Sequence, residues 1–443
     1  MPNVSKAFVN IATLFDDETK RTVERLQELY KDHDRLLSIA AQLSEGVLEE
    51  NLLKGKRVLL KPNWVKQFFN PHDDVCLCTH DGFLLAVLEL VLMKKPASVV
   101  IGDAPIQGCY WDRLITMELV SKVESLSLKY NIPVSIKDFR RVVFDPVNNK
   151  LEMERNPMSE YVIFDVGRRS YLEPITFPEK NLFRVAQYDP DKFTDTHKPG
   201  MHKYCIAREL FHADVVISLP KIKTHQKAGI TCALKNIVGL NGDKDFLPHH
   251  RIGGTKMGGD SYPGKNKLRY WAELALDNAN RKLGKPGYWF WSRVSAVLWG
   301  LSFPKKEHQL NAAWFGNDTT WRMVMDLNLI VNFGREDGTL SDEPQRFLYS
   351  FCDGIVGGQG DGPLWPDPLN LGVISFTDDS AANDICMAQL MSLNVVKIPL
   401  LMAAKAFMPG RNVEIKLNGK LIKQEELQQY AVKAIPSPGW QEQ

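Results

Sequence analysis

Close cysteine pairs are missing from this sequence. The seven cysteines, Cys76, Cys78, Cys109, Cys205, Cys232, Cys352 and Cys386, contain no C-x-x-C spacing. That excludes the common structural zinc and iron–sulfur motifs, so no iron–sulfur cluster is expected. Charge of one sign is also missing: 55 Lys+Arg oppose 53 Asp+Glu, a formal net charge of +2 over 443 residues. Nucleic-acid binders usually carry a strongly basic footprint, so no nucleic-acid partner is expected. The first residues, MPNVSKAFVNIATLFDDETKR, hold no long apolar leader. With an odd cysteine count this leads to the expectation of a cytoplasmic protein with reduced thiols. No uninterrupted apolar run is long enough to span a bilayer, and there is neither an internal repeat nor a low-complexity tract.

What is present is an alternation of buried strands and helices. Lys56 to Lys61 reads as a short strand ended by Pro62-Asn63, Gly82 to Leu92 as a helix, and Ala97 to Gly102 as a strand followed by Asp103-Ala-Pro105. This order predicts a parallel α/β unit, with KPNW and GDAP at the carboxyl ends of strands, where ligands gather in open parallel sheets. The strand pattern returns at Asp214 to Leu219 and at Leu371 to Phe376. The expected fold is α/β: a parallel-sheet, Rossmann-like, two-lobed architecture with irregular insertions and a C-terminal β-hairpin. The Asn-Gly of VEIKLNGKLIK supplies the hairpin turn. The expected divisions are a helical lead-in over 1–53 with an amphipathic helix at 17–30, a first α/β lobe over 54–139, an irregular insertion over 140–213, a second α/β lobe over 214–410, and a hairpin and tail over 411–443. Residues 253–267 read as a mobile glycine-rich loop. Residues 311–330 read as a helix with Asp318, Arg322 and Asp326 on one face.

One segment approaches a membrane motif. Gly287 to Phe303, GYWFWSRVSAVLWGLSF, is interrupted by Arg293 and flanked by Lys282, Lys285, Lys305 and Lys306. It reads as a lid helix or buried hairpin, or as a peripheral contact lying in a membrane interface.

The residues that could carry chemistry fall in three places. In LPKIKTHQKAGITCALKN, residues 219–236, a lysine-rich stretch follows a buried strand. Lys221 and Lys223 occupy alternate positions on one face at a strand mouth. They suit an anionic ligand such as a carboxylate or phosphate, where a surface basic run would simply be solvated. His225 reads as an acid/base group, a metal ligand or a structural histidine, and a loop could aim His249 or His250 at a metal. The second place is DGIVGGQGDGP, where Gly357, Gly358, Gly360 and Asp361 belong to a glycine-rich loop. It forms either a surface turn or an anion or cofactor cradle, although it fits neither the P-loop nor the dinucleotide fingerprint. The third is Asp378-Asp379 with Asp384 at a helix start, where capping competes with metal or acid/base work.

In sequence order, KPNW, GDAP, VISLPKIKTHQKAGITCALKNIVGLNGDK, DGIVGGQGDGP and GVISFTDDSAANDICMAQLM resemble the successive motifs of domain-of-unknown-function family 362, from about residue 54 to 405. Several relatives carry ferredoxin-type cysteines that this chain lacks. A more distant similarity is to the nickel-pincer lactate racemase superfamily. It implies His225 as acid/base, Lys235 as cofactor anchor and His249 or His250 as nickel ligand. Asp103-Ala-Pro105 stands where that superfamily has a partner histidine, and Thr231-Cys-Ala-Leu234 replaces its glycines.

The resulting expectation is an enzyme, isomerase- or epimerase-like, acting on a small anionic, hydroxylated or phosphorylated metabolite. Lys61, Lys221 and Lys223, with Asn63, Asn236 and Arg322, would bind the substrate. His225, Lys235 and Asp103 would carry the chemistry, the Asp-Gly loop and Asp378 would shape the opposite wall, and a divalent metal such as nickel or magnesium would assist. Two alternatives stand beside it: a non-catalytic ligand-binding or assembly protein of a surface-polysaccharide or envelope pathway, and a nucleotide- or phosphate-handling enzyme using DGIVGGQGDGP.

Overall fold

In the computed structural model, which describes residues 6–15, 21–144, 152–185, 188–302, 312–407 and 411–441, the strand Val215–Leu219 is buried along its whole length. Successive side chains of a strand point to opposite faces. Val215, Ile217 and Leu219 enter one apolar core and Val216 the other. A strand covered on both faces is a continuous apolar run rather than an alternating one, which is why DVVISLP stands out in the sequence.

This strand lies inside a twelve-stranded sheet. Its central run is parallel: Phe347–Asp361, Val215–Leu219, Arg57–Pro62, Ser98–Asp103 and Val134–Asp138 are successive neighbours. Beyond Phe347–Asp361 the sheet continues through Val373–Thr377, antiparallel, to Lys6–Thr13 and the hairpin Asn412–Leu417 with Lys420–Ile422. Strands from both expected lobes therefore share one sheet, and the mixed α/β class with a large, mostly parallel central sheet holds. Helices cover both faces. The helix Asp81–Met93 is apolar nearly all round and buried accordingly, and Thr320–Phe333 and Ser380–Leu390 pack on the other side.

Several local expectations need correction. Lys6–Thr13, within the helical lead-in, is a strand whose Ala7, Val9 and Ile11 face inward. Of the helix expected at 17–30, Val23–Glu28 is α-helical and Leu29–Lys31 a 3-10 turn; residues 17–20 lie outside the described residues. The expected irregular insertion holds a three-stranded antiparallel sheet of Tyr161–Asp165, Met201–Ala207 and His197–Lys198. Its strands are short and separated by prolines, so no period shows. The 253–267 loop is pinned rather than loose. Asp260 accepts hydrogen bonds from the N–H groups of Arg251 (2.6 Å) and Asp318 (3.0 Å), and Ser261 and Tyr262 are buried. The helix expected at 311–330 begins only at Thr320, and residue 311 lies outside the described residues.

The largest correction concerns DGIVGGQGDGP. Down to Asp361 it belongs to the strand Phe347–Asp361, so its amides serve the ladder and do not form an anion-binding loop. Its glycines allow a close approach. A Cβ at Gly358 would lie 2.7 Å from that of Lys223, and one at Gly362 would lie 2.0 Å from the Thr224 carbonyl oxygen. Side chains there would force the lysine-bearing strand off the sheet.

Candidate functional site

The carboxyl ends of the parallel strands open onto a cavity of about 770 Å³, where ligands bind in open α/β sheets. Asn63 and Trp64 reach it from the end of Arg57–Pro62, and Asp103 to Gly108 from the end of Ser98–Asp103. The strand Lys221–His225 and its partner Gly229–Thr231 contribute Lys223, His225 and Thr231. Lys227, Lys235, Lys244 and His249 line it too, with Phe144, Tyr188 and Tyr288.

Lys235 is carried by a short helix, Ala233–Asn236, whose entry is fixed by a distant carboxylate. Asp384 accepts the N–H groups of Ala233 and Leu234, both at 2.9 Å. Asn236 locks the other end by donating its side-chain amide to the Lys61 carbonyl (3.0 Å) and the Ser218 hydroxyl (2.9 Å). These contacts give Asp384 and Asn236 structural positions, and neither side chain is free for a ligand.

Four lysine ammonium groups, those of Lys223, Lys227, Lys235 and Lys244, converge on this cavity. Among the described residues Asp103 is the one carboxylate lining it, and Asp103 is occupied. It lies 2.8 Å from the Lys61 ammonium and accepts the N–H groups of Trp64 (2.6 Å) and Ala104 (2.8 Å). Burial, and for Lys235 also the neighbouring lysines, lowers the lysine pKa values. Lys235 falls to about 7, and Lys223, Lys227 and Lys244 to about 8. Desolvation and like charge both disfavour the protonated amine, and an incoming anion relieves both.

The two cavity histidines are held in opposite tautomers. His225 Nδ1 accepts the N–H groups of Lys227 (3.0 Å) and Ala228 (3.1 Å), so the neutral ring carries its proton on Nε2. His249 Nδ1 donates to the Leu247 carbonyl at 2.7 Å, which leaves a lone pair on its Nε2. Burial foremost, then nearby lysines, pushes both well below the usual imidazole range. One ring is thus an N–H donor and the other a proton acceptor. Polar side chains without partners also line the cavity: Asn63 Oδ1, Thr231 Oγ1, and both Oε1 and Nε2 of Gln107. Gln107 is 2% and Thr231 3% exposed. Buried polar atoms left unpaired are costly and call for explanation. A polar ligand would satisfy these.

The structure brings together Asn63, Asp103, Lys223, His225, Lys235, Asn236 and His249 from the expected site. Others fall elsewhere. Lys61 is buried in its pair with Asp103 and cannot hold an anion as well. Lys221 faces away. The register with Phe347–Asp361 breaks between Lys221 and Lys223, which sit opposite Asp353 and Gly358. Lys221 is buried against Asp353 (2.9 Å) and the Tyr30 hydroxyl (2.8 Å). Gly357, Gly358, Gly360 and Asp361 lie in or at the end of their strand and do not line the cavity. Arg322 is held by Asp318 (3.1 Å) and the Tyr171 carbonyl (3.0 Å), while Asp326 turns to Tyr204 and the Tyr171 N–H. Asp378 accepts the Phe8 N–H and pairs with Arg411, away from the cavity. It borders a larger hollow of about 1090 Å³, where Arg411 also pairs with Asp379. His250 is buried in a short strand beside Arg184. Lys227 and Lys244 belong to the site although spacing alone did not select them, and Gln107 carried no sequence signal.

Among the described residues, no three His, Cys, Asp or Glu side chains gather as metal ligands. The described side chains therefore do not build a protein-only site for nickel or magnesium. Among the described residues, no helix is long and apolar enough to cross a membrane.

A family model described as "Domain of unknown function (DUF362)" matches residues 168–389, half of the chain. A thylakoid-associated protein of Synechocystis sp. is 22% identical over 224 residues, covering 50% of this chain and 44% of its own length. The chain thus spans less than half of that curated relative. A crystal structure of a protein from Thermotoga maritima aligns over 89% of this chain and 60% of its own, at 11% identity and a TM-score of 0.33, too low to support an argument. These findings do not bear out the distant similarity to nickel-pincer racemases.

Proposed function

We propose that this chain, which belongs to the DUF362 family, binds a small anionic, hydroxylated metabolite in the lysine-lined cavity and moves a proton on it. The observation that carries this reading is the convergence of Lys223, Lys227, Lys235 and Lys244 on a cavity whose only lining carboxylate among the described residues is already engaged by Lys61. Clustered ammonium groups without counter-charges are unfavourable in a free protein. Their natural complement is a carboxylate or phosphate.

The unpartnered atoms of Asn63, Gln107 and Thr231 suit hydroxyl or carbonyl groups on the same ligand. In this reading His249 Nε2 accepts a proton, and the neutral His225 donates a hydrogen bond from Nε2–H to the developing negative charge. The protonated lysines stabilise that charge, and a lysine ammonium returns the proton. Lys235, whose pKa of about 7 lies near neutrality, is the lysine best placed to exchange a proton as well. Asp103 and Lys61 position the strand ends and touch no ligand. Residues 353–361 of DGIVGGQGDGP lie in a strand, so in this reading the lysine-lined cavity, and not that segment, holds the anion.

The test is turnover. The purified protein and its His225→Gln and His249→Gln variants would be incubated with a pool of hydroxycarboxylates and sugar phosphates in D₂O and followed by mass spectrometry. Deuterium incorporation or isomerisation by the wild type, lost in both variants while anion binding persists, is the expected outcome. Equal turnover by the variants would remove the histidines from the chemistry.

A further inference from the structure

The helices Lys267–Asn280 and Tyr288–Ser302 form a hairpin, joined by the Ser295 hydroxyl donating to the Ala272 carbonyl at 2.8 Å. Its outer side is apolar. Phe290, Val297 and Leu301 are 62, 62 and 69% exposed. Their spacing of seven and four places them on one face, away from the inward-facing Ser295 and Ser302. Trp271 and Leu274 continue this surface on the first helix, at 54 and 36% exposure. Contiguous exposed apolar surface of this kind marks an interaction site.

The exposed charges on the hairpin itself are of one sign. Between residues 265 and 302 the only carboxylates are Glu273 and Asp277, and both are buried. Glu273 accepts the Gly253 N–H, and Asp277 pairs with Arg184 at 2.9 Å. Lys265, Lys267, Lys282, Lys285 and Arg293 are exposed. Apart from Arg281, which pairs with the exposed Asp191 at 2.8 Å, the exposed charges of the hairpin are cations unmatched among the described residues. An aromatic and aliphatic face so rimmed matches acyl chains beneath anionic headgroups. The described part of the second helix, fifteen residues or about 22 Å, carries Arg293 in its middle, which suits lying in an interface.

We infer that this hairpin docks the protein on an anionic lipid bilayer. Leu283 and Tyr288, in and beside the hairpin turn, also line the lysine-lined cavity, so docking sets one wall of that cavity at headgroup level. The inference stands on the hairpin alone and does not require the cavity to be catalytic.

The test is flotation of the full chain with vesicles of phosphatidylcholine, alone or mixed with phosphatidylglycerol. The wild type should rise with the mixed vesicles, less so in high salt. The variant Phe290→Ser/Val297→Ser/Leu301→Ser should lose at least about tenfold in partitioning, in line with the apolar area it removes. The variant Lys282→Gln/Lys285→Gln/Arg293→Gln should lose the preference for phosphatidylglycerol. All six positions are on the hairpin surface or its rim, and unchanged thermal midpoints would show that the variants fold. Failure of the wild type to rise with either vesicle, or equal flotation of the apolar variant, would overturn the inference. So would a wild-type dimer that the apolar variant dissociates, since that would assign the face to a second copy of this chain.

Discussion

Gly239 lies so close to Asp103 that a Cβ added to it would sit 1.7 Å from the Asp103 Oδ1 atom and 2.8 Å from the Lys61 ammonium. The buried Lys61–Asp103 pair and the turn after the Lys235 helix are therefore packed as one unit. Gly239→Ala should lower stability and weaken anion binding together, because the carboxylate must move and takes the ends of two parallel strands with it. Chemical denaturation and an anion titration on the same preparation would show both effects.

Breaking the pair from the acid side should be severe. Asp103→Asn leaves the Lys61 ammonium buried without its counter-charge, a loss of about 3–5 kcal/mol. Adding Lys61→Met should recover part of that loss, since the double variant buries no charge. Urea unfolding of the two variants checks the sign of this coupling.

The lysine cluster predicts opposite pH trends for stability and binding. In the unfolded chain these lysines titrate near about 10.4, whereas in the fold Lys235 lies at about 7 and Lys223, Lys227 and Lys244 at about 8. Between those limits the unfolded state holds more protons, so these groups make the free protein more stable as pH rises from about 7 to about 10. An anion prefers the protonated cluster, so its affinity should fall over pH 7 to 9. Thermal midpoints and anion titrations across that range would show the two curves diverging.

Gln107 offers a test of the orphaned polar atoms. Gln107→Met removes two buried groups without partners, which should stabilise the free protein by about 1–3 kcal/mol. The same change should weaken binding of a hydroxylated anion more than that of inorganic phosphate. A variant that lost stability would show that Gln107 is satisfied within the protein.

The fold was legible where burial and period agree. Val215–Leu219 and Asp81–Met93 declare themselves because both are covered on every side. Lys6–Thr13 carries a readable alternation at Ala7, Val9 and Ile11, but its neighbours in the sheet come from residues 373–377 and 412–417, which no local pattern announces. DGIVGGQGDGP reads as a loop because glycine contributes no side-chain period; its role is to let Lys223 and Thr224 approach.

The site was legible by half. The position after a strand drew attention to Lys223, His225 and Lys235. Lys221 looked equivalent to Lys223 until the register break turned it toward Asp353, 132 residues away in sequence. Asp103 looked free because its partner, Lys61, lies on the neighbouring strand. Partner assignments of this kind are tertiary facts, set by which strands lie side by side.

The central claim is that four lysines lining one cavity, none of them in an ion pair among the described residues, await an anion. Its most direct test is thermal unfolding of the wild type and of Lys227→Met/Lys235→Met at pH 6.5, with inorganic phosphate, glycerol 3-phosphate or lactate over a matched chloride control. Phosphate stabilises many proteins without binding a site, so the difference between the two proteins is what counts. The cavity reading predicts a variant about 1 kcal/mol more stable without ligand. It also predicts wild-type affinity for at least one anion about tenfold or more above the variant's, from charged hydrogen bonds contributing about 1.5–3 kcal/mol each. Equal shifts in both proteins for every anion, or a variant destabilised without ligand, would contradict it.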